Sequence, residues 1–339
     1  MKILLIGGTG TISTEISKKL IADGEELIIL NRSGHSDILG DKPTYIKADI
    51  NDEAAAAKAL EGYSFDAVCD FIVFDKSQLE RDYRLFKGKT KQFVYISSAS
   101  AYAKPCASYI ITEGTSLANP YWEYSRKKIE GEHYLMDLYQ NESFPVTIVR
   151  PSHTYNEKSV PLGIHGKNGS YQVIKRMLEG KPVLIQGDGT SLWTMTDSRD
   201  FAVAFTGLLG NPHAIGEAFQ ITNDETLTWN QIYQTLANVL GVELKPYYVS
   251  SRFLADVSDY DLEGSLIGDK ANSVVFDNSK LKKAVPGFAP HIRFEQGIRR
   301  TLDYVLSHPE CQKEDPEFDR WCDDVINALE NAKKAIIKR

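Results

Sequence analysis

The first half of the chain alternates short apolar runs with longer amphipathic segments, and this alternation constrains the fold more than any other feature. The apolar runs of strand length are Lys2–Ile6, Glu26–Leu30, Thr44–Lys47, Asp66–Val73, Gln92–Ile96 and Val146–Val149. The helix-like segments are Ile12–Ala22, Glu53–Leu60 and Trp122–Gln140. Strands that are separated by helices pair in parallel, with the helices on both faces. The pattern therefore predicts an α/β fold with a Rossmann-type doubly wound parallel sheet.

The second half is less regular and predicts a smaller, C-terminal α+β lobe that binds the substrate. Its predicted helices are Tyr171–Glu179, Ser198–Leu209, Trp229–Leu240 and Pro316–Arg339, with glycine-rich loops at 166–169 and 186–189. Residues 1–155 are assigned to the dinucleotide-binding domain, to which residues 183–225 are expected to return. Residues 156–182 and 226–339 are assigned to the substrate-binding lobe and its C-terminal helix.

Composition argues against several classes of partner. The formal net charge of −7 and the isoelectric point near 5.6 give no indication of binding to nucleic acid or to anionic lipid. The four cysteines lack a metal-binding spacing, so no metal site is predicted. The apolar run at the N-terminus is too short for a signal peptide, and no segment reaches the ~20 apolar residues of a membrane span. We therefore expect a cytoplasmic protein that does not enter a membrane.

A glycine turn follows the first predicted strand, with the sequence Gly7-Gly8-Thr9-Gly10-Thr11-Ile12-Ser13. Glycines at such a turn let backbone N–H groups approach a pyrophosphate, and the N-terminus of the next helix favours its negative charge. Because a strand precedes it and a helix follows, a dinucleotide site is favoured over an ordinary strand-to-helix turn. Ser13 replaces the third glycine, where a small residue is tolerated. The residues predicted to bind the cofactor here are Gly7, Thr9, Gly10, Thr11 and Ile12.

The residues after the second and third strands indicate which dinucleotide binds. An NAD site usually carries an acid after the second strand, where it binds the ribose 2′-hydroxyl. Here Asn31-Arg32 occupies that place, and a guanidinium suits a 2′-phosphate. NADP is therefore favoured over NAD, and a solvated loop arginine is the alternative. Asp49-Ile50 ends the third strand, where an acid can accept a hydrogen bond from the adenine amino group.

Tyr124 and Lys128 lie four residues apart on a predicted helix, so their side chains share one face. A nearby ammonium favours the phenolate, which lets a tyrosine exchange a proton near neutral pH. Upstream, Ser97-Ser98 ends the fifth strand at the sheet edge where ligands bind in such folds. A surface tyrosine beside a solvated lysine is the alternative, which the ordered succession of these motifs disfavours. Ser98, Tyr124 and Lys128 are therefore predicted to be catalytic.

Together these segments resemble the extended short-chain dehydrogenases/reductases, the NAD-dependent epimerase/dehydratase family. The resemblance covers nearly the whole chain and includes Gly7–Ser13, Asp49, Ser97–Tyr102, Tyr124–Lys128, Arg150-Pro151, Gly187–Gly189 and Phe276–Lys280. It implies that residues 150–153 lie beside the nicotinamide. The cofactor contacts that it implies are Phe71, Tyr124, Lys128, Pro151 and His153. The substrate contacts that it implies are Ser100, Tyr102, His153 and Trp193. Asn31-Arg32 and Asp70–Ile72 also resemble the chloroplast stem-loop-binding branch.

Three positions bear on the reaction and the substrate. Ala99-Ser100 replaces the Asp-Glu pair of the 4,6-dehydratases, which disfavours elimination of water. Trp193 stands where many family members have an arginine that binds a diphosphate, and core packing, a sugar-stacking platform and a lid residue are its alternative roles. This change favours a free sugar, glycoside or other secondary alcohol over an ordinary nucleotide sugar. His153 is either a second acid or base or a hydrogen-bonded scaffold residue.

The sequence supports three functional hypotheses. The first is an NAD(P)-dependent oxidoreductase or epimerase that acts on a secondary alcohol of a sugar or sugar-nucleotide-like substrate. The second is an RNA-binding relative on the same fold, which the acidic net charge disfavours. The third is a non-catalytic cofactor sensor, which the intact set of Ser98, Tyr124 and Lys128 disfavours. Many family members dimerise through two helices per subunit, so Trp122–Gln140 is a candidate homodimer interface.

Overall fold

The structure is a computed structural model that describes residues 1–337, so the last two residues of the predicted C-terminal helix lie outside the described residues. Its strands are β1 (Lys2–Ile6), β2 (Glu26–Asn31), β3 (Thr44–Lys47), β4 (Ala67–Asp70), β5 (Phe93–Ile96), β6 (Ile110–Ile111), β7 (Val146–Pro151), β8 (His153–Tyr155), β9 (Val183–Gln186), β10 (Leu192–Trp193), β11 (Met195–Asp197), β12 (Glu217–Ile221), β13 (Leu227–Thr228), β14 (Pro246–Val249) and β15 (Val275–Phe276).

The helices are α1 (Ser13–Ala22), α2 (Glu53–Ala59), α3 (Lys76–Phe86), α4 (Glu123–Glu142), α5 (Tyr171–Leu178), α6 (Ser198–Leu208), α7 (Trp229–Leu240), α8 (Ser251–Asp256), α9 (Ser279–Ala284), α10 (Phe294–Ser307) and α11 (Pro316–Ile337). Short 3-10 turns are Ala99–Ala101, Pro212–Ala214 and Pro309–Cys311, and a π-helix spans Glu263–Lys270. None of the helices in the described residues combines the length and the hydropathy that a bilayer crossing requires.

Seven strands form one parallel sheet in the order β3-β2-β1-β4-β5-β7-β12. The chain starts in the middle at β1, moves outward to β3 and then returns to β4 on the other side of β1. Ile6 pairs with Asp70, so the ends of β1 and β4 lie side by side where the strand order reverses. A crevice at this point is the usual ligand site of such sheets. The predicted fold class is confirmed.

Side chains on the central strands alternate between two buried faces. Ile3 and Leu5 of β1 pack with apolar residues of α1 and α6. Leu4 and Ile6 pack on the other face with residues of α2, α3 and α4. Because both faces are covered from Ile3 to Ile6, this part of β1 has no polar position, and it appears in the sequence as a continuous apolar run.

The fourth strand is shorter than the sequence predicts. It ends at Asp70 rather than Val73, because the Asp70 carboxylate accepts a hydrogen bond of 2.7 Å from the Ile72 N–H. This side-chain bond to the backbone two residues on turns the chain out of the sheet.

The chain divides into two compact units. The first comprises Met1–Thr154, Thr194–Asp224 and Val275–His291, and the second comprises the remaining segments. Two segments therefore differ from their predicted assignment. Residues 183–193 belong to the second unit, where β9 pairs with β14. Residues 275–291 belong to the first unit, where β15 pairs with β6.

The second unit is held together by helix packing and one buried arginine. Within it α7 packs against α10, and α5 packs against α11. Arg176 on α5 is 1% exposed and donates to the carboxylates of Asp319 and Asp323 on α11, each at 2.7 Å. The two acidic partners offset the cost of burying the guanidinium, which ties the terminal helix to this unit.

Candidate active site

The turn between β1 and α1 requires glycine at its first position. Gly7 has a φ of +82°, and a Cβ there would lie 2.7 Å from Ile72 Cγ2. Both the backbone conformation and the lack of space disfavour any other residue. Thr9, Gly10 and Thr11 follow and are exposed, so the backbone at the N-terminus of α1 is accessible to the phosphates of a ligand.

Ser13 stabilises this turn from within. Its hydroxyl donates to Gly7 O at 2.6 Å and accepts from the Gly10 N–H at 2.9 Å. The residue that replaces the third glycine is therefore a brace of the turn and not only a small packing residue. Thr11 and Ile12, which the sequence predicts to contact the cofactor, directly precede α1.

A cavity of about 370 Å³ adjoins the glycine turn. Its lining comprises Gly7, Leu30, Asn31, Arg32, Ala48, Asp49, Ile50, Asn51, Ile72, Phe74 and Gln78. Asn31 Oδ1 accepts from the Gly34 N–H at 2.5 Å, which fixes the loop after β2. The Arg32 side chain is exposed, and no hydrogen bond or ion pair joins it to another residue of the described chain. The structure thus brings Gly7, Asn31, Arg32, Asp49 and Ile50 together around one cavity.

Asp70, at the end of β4, belongs to a buried ion cluster with α3. Its carboxylate accepts from Arg81 at 3.2 Å, and Arg81 also donates to Asp82 at 2.9 Å. Burial raises the pKa of Asp70, and burial together with the neighbouring Asp70 raises the pKa of Asp82. One arginine therefore holds two carboxyl groups in the interior and anchors the start of the loop that follows β4.

Lys128 is held at the carboxyl ends of the central strands. Its side chain is 3% exposed, and its ammonium donates to Val73 O at 2.6 Å and to Ile96 O at 2.8 Å. Burial lowers its pKa to about 8, although the nearby acids Asp70 and Glu132 oppose the shift. The ammonium also lies 5.7 Å from the ring centre of Tyr124, so the cation and the phenol are neighbours on α4.

Glu132 lies one turn beyond Lys128 and forms a buried network that the sequence analysis missed. Arg150 donates to both Glu132 carboxylate oxygens, with its shortest bond at 2.6 Å, and Ser97 Oγ donates to Glu132 at 2.5 Å. Although burial acts in the opposite direction, the hydrogen bonds to Glu132 raise the pKa of the Arg150 guanidinium. Arg150 therefore ties β7 to α4 and β5. The spacing of four residues from Lys128 was the available signal for Glu132.

The segment after β5 contains one hydroxyl that is only half-buried, that of Ser98. Ser100 is 3% exposed, with its Oγ 2.9 Å from Ser98 Oγ and 2.8 Å from Ser125 Oγ. Tyr102 is 1% exposed, and its hydroxyl donates to Gln220 Oε1 at 2.9 Å. Of the hydroxyls predicted to face a substrate, those of Ser100 and Tyr102 thus form hydrogen bonds inside the first unit.

The other predicted cofactor contacts lie at different depths. Pro151 ends β7 and is buried, whereas His153 begins β8 and is half-buried. Phe71 follows β4, and its ring lies 5.7 Å from that of Phe205 on α6. Phe71 therefore packs into the core on the face covered by α1 and α6.

Trp193 lies in the second unit, where it is 3% exposed. Its ring stacks on that of Trp229 with centres 5.8 Å apart. Of the three roles that the sequence leaves open, this position corresponds to core packing. Within residues 1–337 no group of three or more histidine, cysteine or acidic side chains is arranged to hold a metal ion.

The model of the NAD dependent epimerase/dehydratase family matches residues 3–222. The chain belongs to this family. It is accordingly an NAD(P)-dependent enzyme of the extended short-chain dehydrogenase type, as the resemblance implied. The match includes the glycine turn, the Ser98 segment and the Tyr124–Lys128 helix.

Individual relatives are distant and differ in activity. The chain is 21% identical over 289 residues to 2′-dehydrokanamycin reductase of Streptomyces kanamyceticus, covering 85% of this chain and 80% of the relative. It is 25% identical over 253 residues to chloroplast stem-loop binding protein of 41 kDa b of Arabidopsis thaliana, covering 71% and 63%. The structure of UDP-glucuronic acid 4-epimerase from Bacillus cereus with UDP-glucuronic acid and NAD has a TM-score of 0.72 at 20% identity, covering 91% and 99%. This last likeness shows the shared fold.

Proposed function

We propose that this chain is an NADP(H)-dependent oxidoreductase or epimerase that acts on a secondary alcohol, or the corresponding ketone, of a carbohydrate-like substrate. The observation that carries the proposal is the position of Lys128. Its ammonium is held by the carbonyl of Val73, in the loop after β4, and by that of Ile96, which ends β5 two residues before Ser98. It also lies next to the Tyr124 ring. A cation, a phenol and a hydroxyl at the ligand-binding edge of the sheet form a site for proton transfer to a substrate oxygen.

Tyr124 exchanges a proton with the reacting oxygen. A free tyrosine has a pKa near ~10, and the adjacent positive charge of Lys128 stabilises its phenolate. Because the pKa of Lys128 is about 8, its ammonium form predominates at neutral pH. Ser98 donates a hydrogen bond to the same substrate oxygen and stabilises the negative charge that develops on it.

The glycine turn and its cavity fit a nicotinamide dinucleotide, which supplies or accepts the hydride when bound. Gly7 leaves space where a Cβ would collide with Ile72, so a pyrophosphate can approach the backbone. Asp49 would accept from the adenine amino group. Arg32 would pair with a 2′-phosphate, and since no acid stands after β2, NADP(H) is preferred to NAD(H).

The substrate is proposed to be a sugar or glycoside without a nucleoside diphosphate. The name of the Streptomyces relative describes reduction of a keto-aminoglycoside, whereas the Bacillus epimerase acts on a nucleotide sugar. The resemblance places Trp193, which is buried in this chain, where many members have an arginine that binds the diphosphate. Indole offers one neutral donor where a guanidinium offers paired, charge-assisted bonds. Ala99-Ser100 supplies no acid for elimination, so dehydration is not proposed.

A substrate panel tests this proposal. The panel contains glucose, galactose, kanamycin, UDP-glucose, UDP-galactose and UDP-glucuronic acid, each incubated with NADP⁺ and with NAD⁺. Absorbance reports net oxidation, and NMR of the products reports epimerisation, which leaves the cofactor unchanged. We expect turnover of a free sugar or the aminoglycoside with NADP⁺. Turnover restricted to UDP-sugars, or micromolar binding of UDP itself, would contradict the proposed substrate class.

RNA binding is the second candidate function, because of the match to the stem-loop binding protein. The net charge of −7 opposes it, since binding to phosphate backbones draws on clustered lysine and arginine. Filter binding of a stem-loop RNA at low salt is the test. We expect that the filter retains no RNA at micromolar protein concentrations. Salt-sensitive RNA binding below that concentration would support RNA binding as the function.

A homodimer is also proposed, with α4 in the interface. This proposal is supported by the packing of α3 and α4 side by side within the first unit, since the resemblance implies a two-helix interface. Light scattering at micromolar concentration should give twice the 38.0 kDa of one chain, and a mass of one chain would contradict it.

A further inference from the structure

Three serines from two segments of the first unit, the turn after β5 and the start of α4, form one hydrogen-bonded chain. Ser98 follows β5, Ser100 lies in the 3-10 turn after it, and Ser125 is the residue after Tyr124 on α4. Ser98 Oγ and Ser100 Oγ are 2.9 Å apart, and Ser125 Oγ donates to Ser100 Oγ at 2.8 Å. Ser125 is fully buried and Ser100 is 3% exposed, so only the Ser98 end of the chain is half-buried.

The direction of these bonds follows from counting protons. Each serine hydroxyl has one proton to donate. Ser125 donates to Ser100, and the bond between Ser98 and Ser100 fits either direction. If Ser98 were the donor, the buried Ser100 hydroxyl would accept twice and its own proton would have no acceptor among the described residues. Leaving a buried donor unpaired is costly, so Ser100 donates to Ser98. Ser98 Oγ also accepts from the Ser100 N–H at 3.2 Å. With two hydrogen bonds accepted from Ser100, the proton of Ser98 is directed away from this chain.

We infer that Ser100 and Ser125 are positioning residues that commit the Ser98 hydroxyl to donating its proton to the substrate. This inference rests on the proposed function, in which Ser98 contacts the reacting oxygen. A hydroxyl that already accepts two bonds is a stronger donor, because successive hydrogen bonds polarise one another. Ser98 therefore stabilises negative charge on a substrate oxygen and does not compete with Tyr124 as a base.

The arrangement also accounts for two features of the site. Ser100 stands where 4,6-dehydratases carry one residue of their Asp-Glu pair, and here its side chain is occupied by Ser98 and Ser125. Asn119 Nδ2 donates to Ser100 O at 2.9 Å and fixes the 3-10 turn that carries it. Because Ser125 adjoins Tyr124 in α4, the same helical turn orients the donor hydroxyl and carries the acid–base group.

The proton positions can be observed directly, without any substrate. Neutron diffraction from crystals of the full chain grown in D₂O locates the deuterium on each hydroxyl. We expect the Ser125 deuterium on the line to Ser100 Oγ, the Ser100 deuterium on the line to Ser98 Oγ, and the Ser98 deuterium pointing elsewhere. A Ser98 deuterium that points to Ser100 Oγ, or a Ser100 deuterium that points to Ser125, would overturn the inference.

A double-mutant cycle tests the consequence for catalysis, with the panel compound that the wild-type protein turns over. Ser125→Ala should lower kcat by about three- to tenfold and leave KM unchanged, since removing one bond weakens the Ser98 donor. In the Ser98→Ala background the same change should have no further effect, because Ser125 acts through Ser98.

Thr147→Val is the matched control. Thr147 is fully buried on β7, where its hydroxyl donates to Ala214 O at 2.8 Å and accepts from Gln92. It lies near the start of that strand, away from the carboxyl ends, so its loss should lower stability and leave kcat unchanged. If Ser125→Ala reduces kcat equally with and without Ser98, the positioning role is wrong. If Ser98→Ala retains full kcat, the proposed function itself fails, which is a separate outcome.

Discussion

Replacing Arg32 by alanine is the most direct test of how the chain chooses its cofactor. Arg32 lines the cavity beside the glycine turn, and its guanidinium has no hydrogen bond or ion pair within the described residues, so a ligand phosphate meets no competing partner. A hydrogen bond to a charged group contributes roughly 1.5–3 kcal/mol, and solvent exposure reduces this to about 1–2 kcal/mol. Affinity for NADP⁺ should therefore fall about five- to thirtyfold.

Calorimetric titration of Arg32→Ala with NADP⁺ and NAD⁺ measures this effect. Binding of NAD⁺ should stay within twofold, because NAD lacks the 2′-phosphate that Arg32 would contact. Arg84→Ala is the control, since Arg84 is an exposed arginine of the same unit that is paired with Glu53 and absent from the cavity lining. Equal losses for both cofactors, or equal or tighter binding of NAD⁺ by the wild-type protein, would refute the reasoning.

Three further predictions concern the residues around the site. Glu132→Gln should lower the free energy of unfolding, measured by urea denaturation, by about 3–5 kcal/mol, because it leaves Arg150 buried without its charged partner. Glu142→Gln is the control: it removes an exposed ion pair and should change the free energy of unfolding little. Between pH 8 and 10.5, Lys128 binds fewer protons in the folded protein than in the unfolded chain. As pH rises over this range, the free energy of unfolding of the wild type should therefore increase relative to that of Lys128→Met, by on the order of 3 kcal/mol. A difference between the two proteins that does not change with pH would contradict the lowered pKa of Lys128. Gly7→Ala should weaken cofactor binding at least about tenfold in the same titrations, because of its φ of +82° and the contact with Ile72; unchanged binding would contradict the role of the turn.

The sequence predicts the elements whose signals are local. β1, β3 and α7 have the bounds that the apolar patterns indicate, and α7 is capped by Gly241, which has a φ of +69°. α3 was not predicted, although Asp75 and Gln78 form a capping box at its start. Its buried face carries Arg81 and Asp82 in the ion cluster, which interrupts the apolar stripe that indicates a helix.

The assignment of segments to the two units depends on pairings that no local pattern contains. β9 joins the second unit through β14, which lies some sixty residues later in the chain, and β15 returns to the first unit through β6. β12 also was not predicted as a strand, because it completes the sheet only by pairing with β7. Register and partner choice between distant short strands are tertiary properties.

The candidate site also has a part that local sequence patterns predict and a part that depends on tertiary contacts. Spacing along one helix places Tyr124 and Lys128 on one face, and the same spacing could have identified Glu132. The partner of Glu132, Arg150, comes from β7, and the hydroxyl chain of Ser98, Ser100 and Ser125 joins a turn to a helix. Such contacts appear only once the sheet has brought these elements together.

The measurement that tests the central claim most directly is the comparison of Tyr124→Phe with the wild-type protein. It uses the substrate identified by the panel and calorimetric titration of NADP⁺. The substitution removes only the phenolic oxygen, so kcat should fall by about 10²–10⁴-fold while cofactor affinity stays within twofold. A Phe variant that keeps most of its turnover would show that Tyr124 does not exchange the proton, and the proposed mechanism would be wrong.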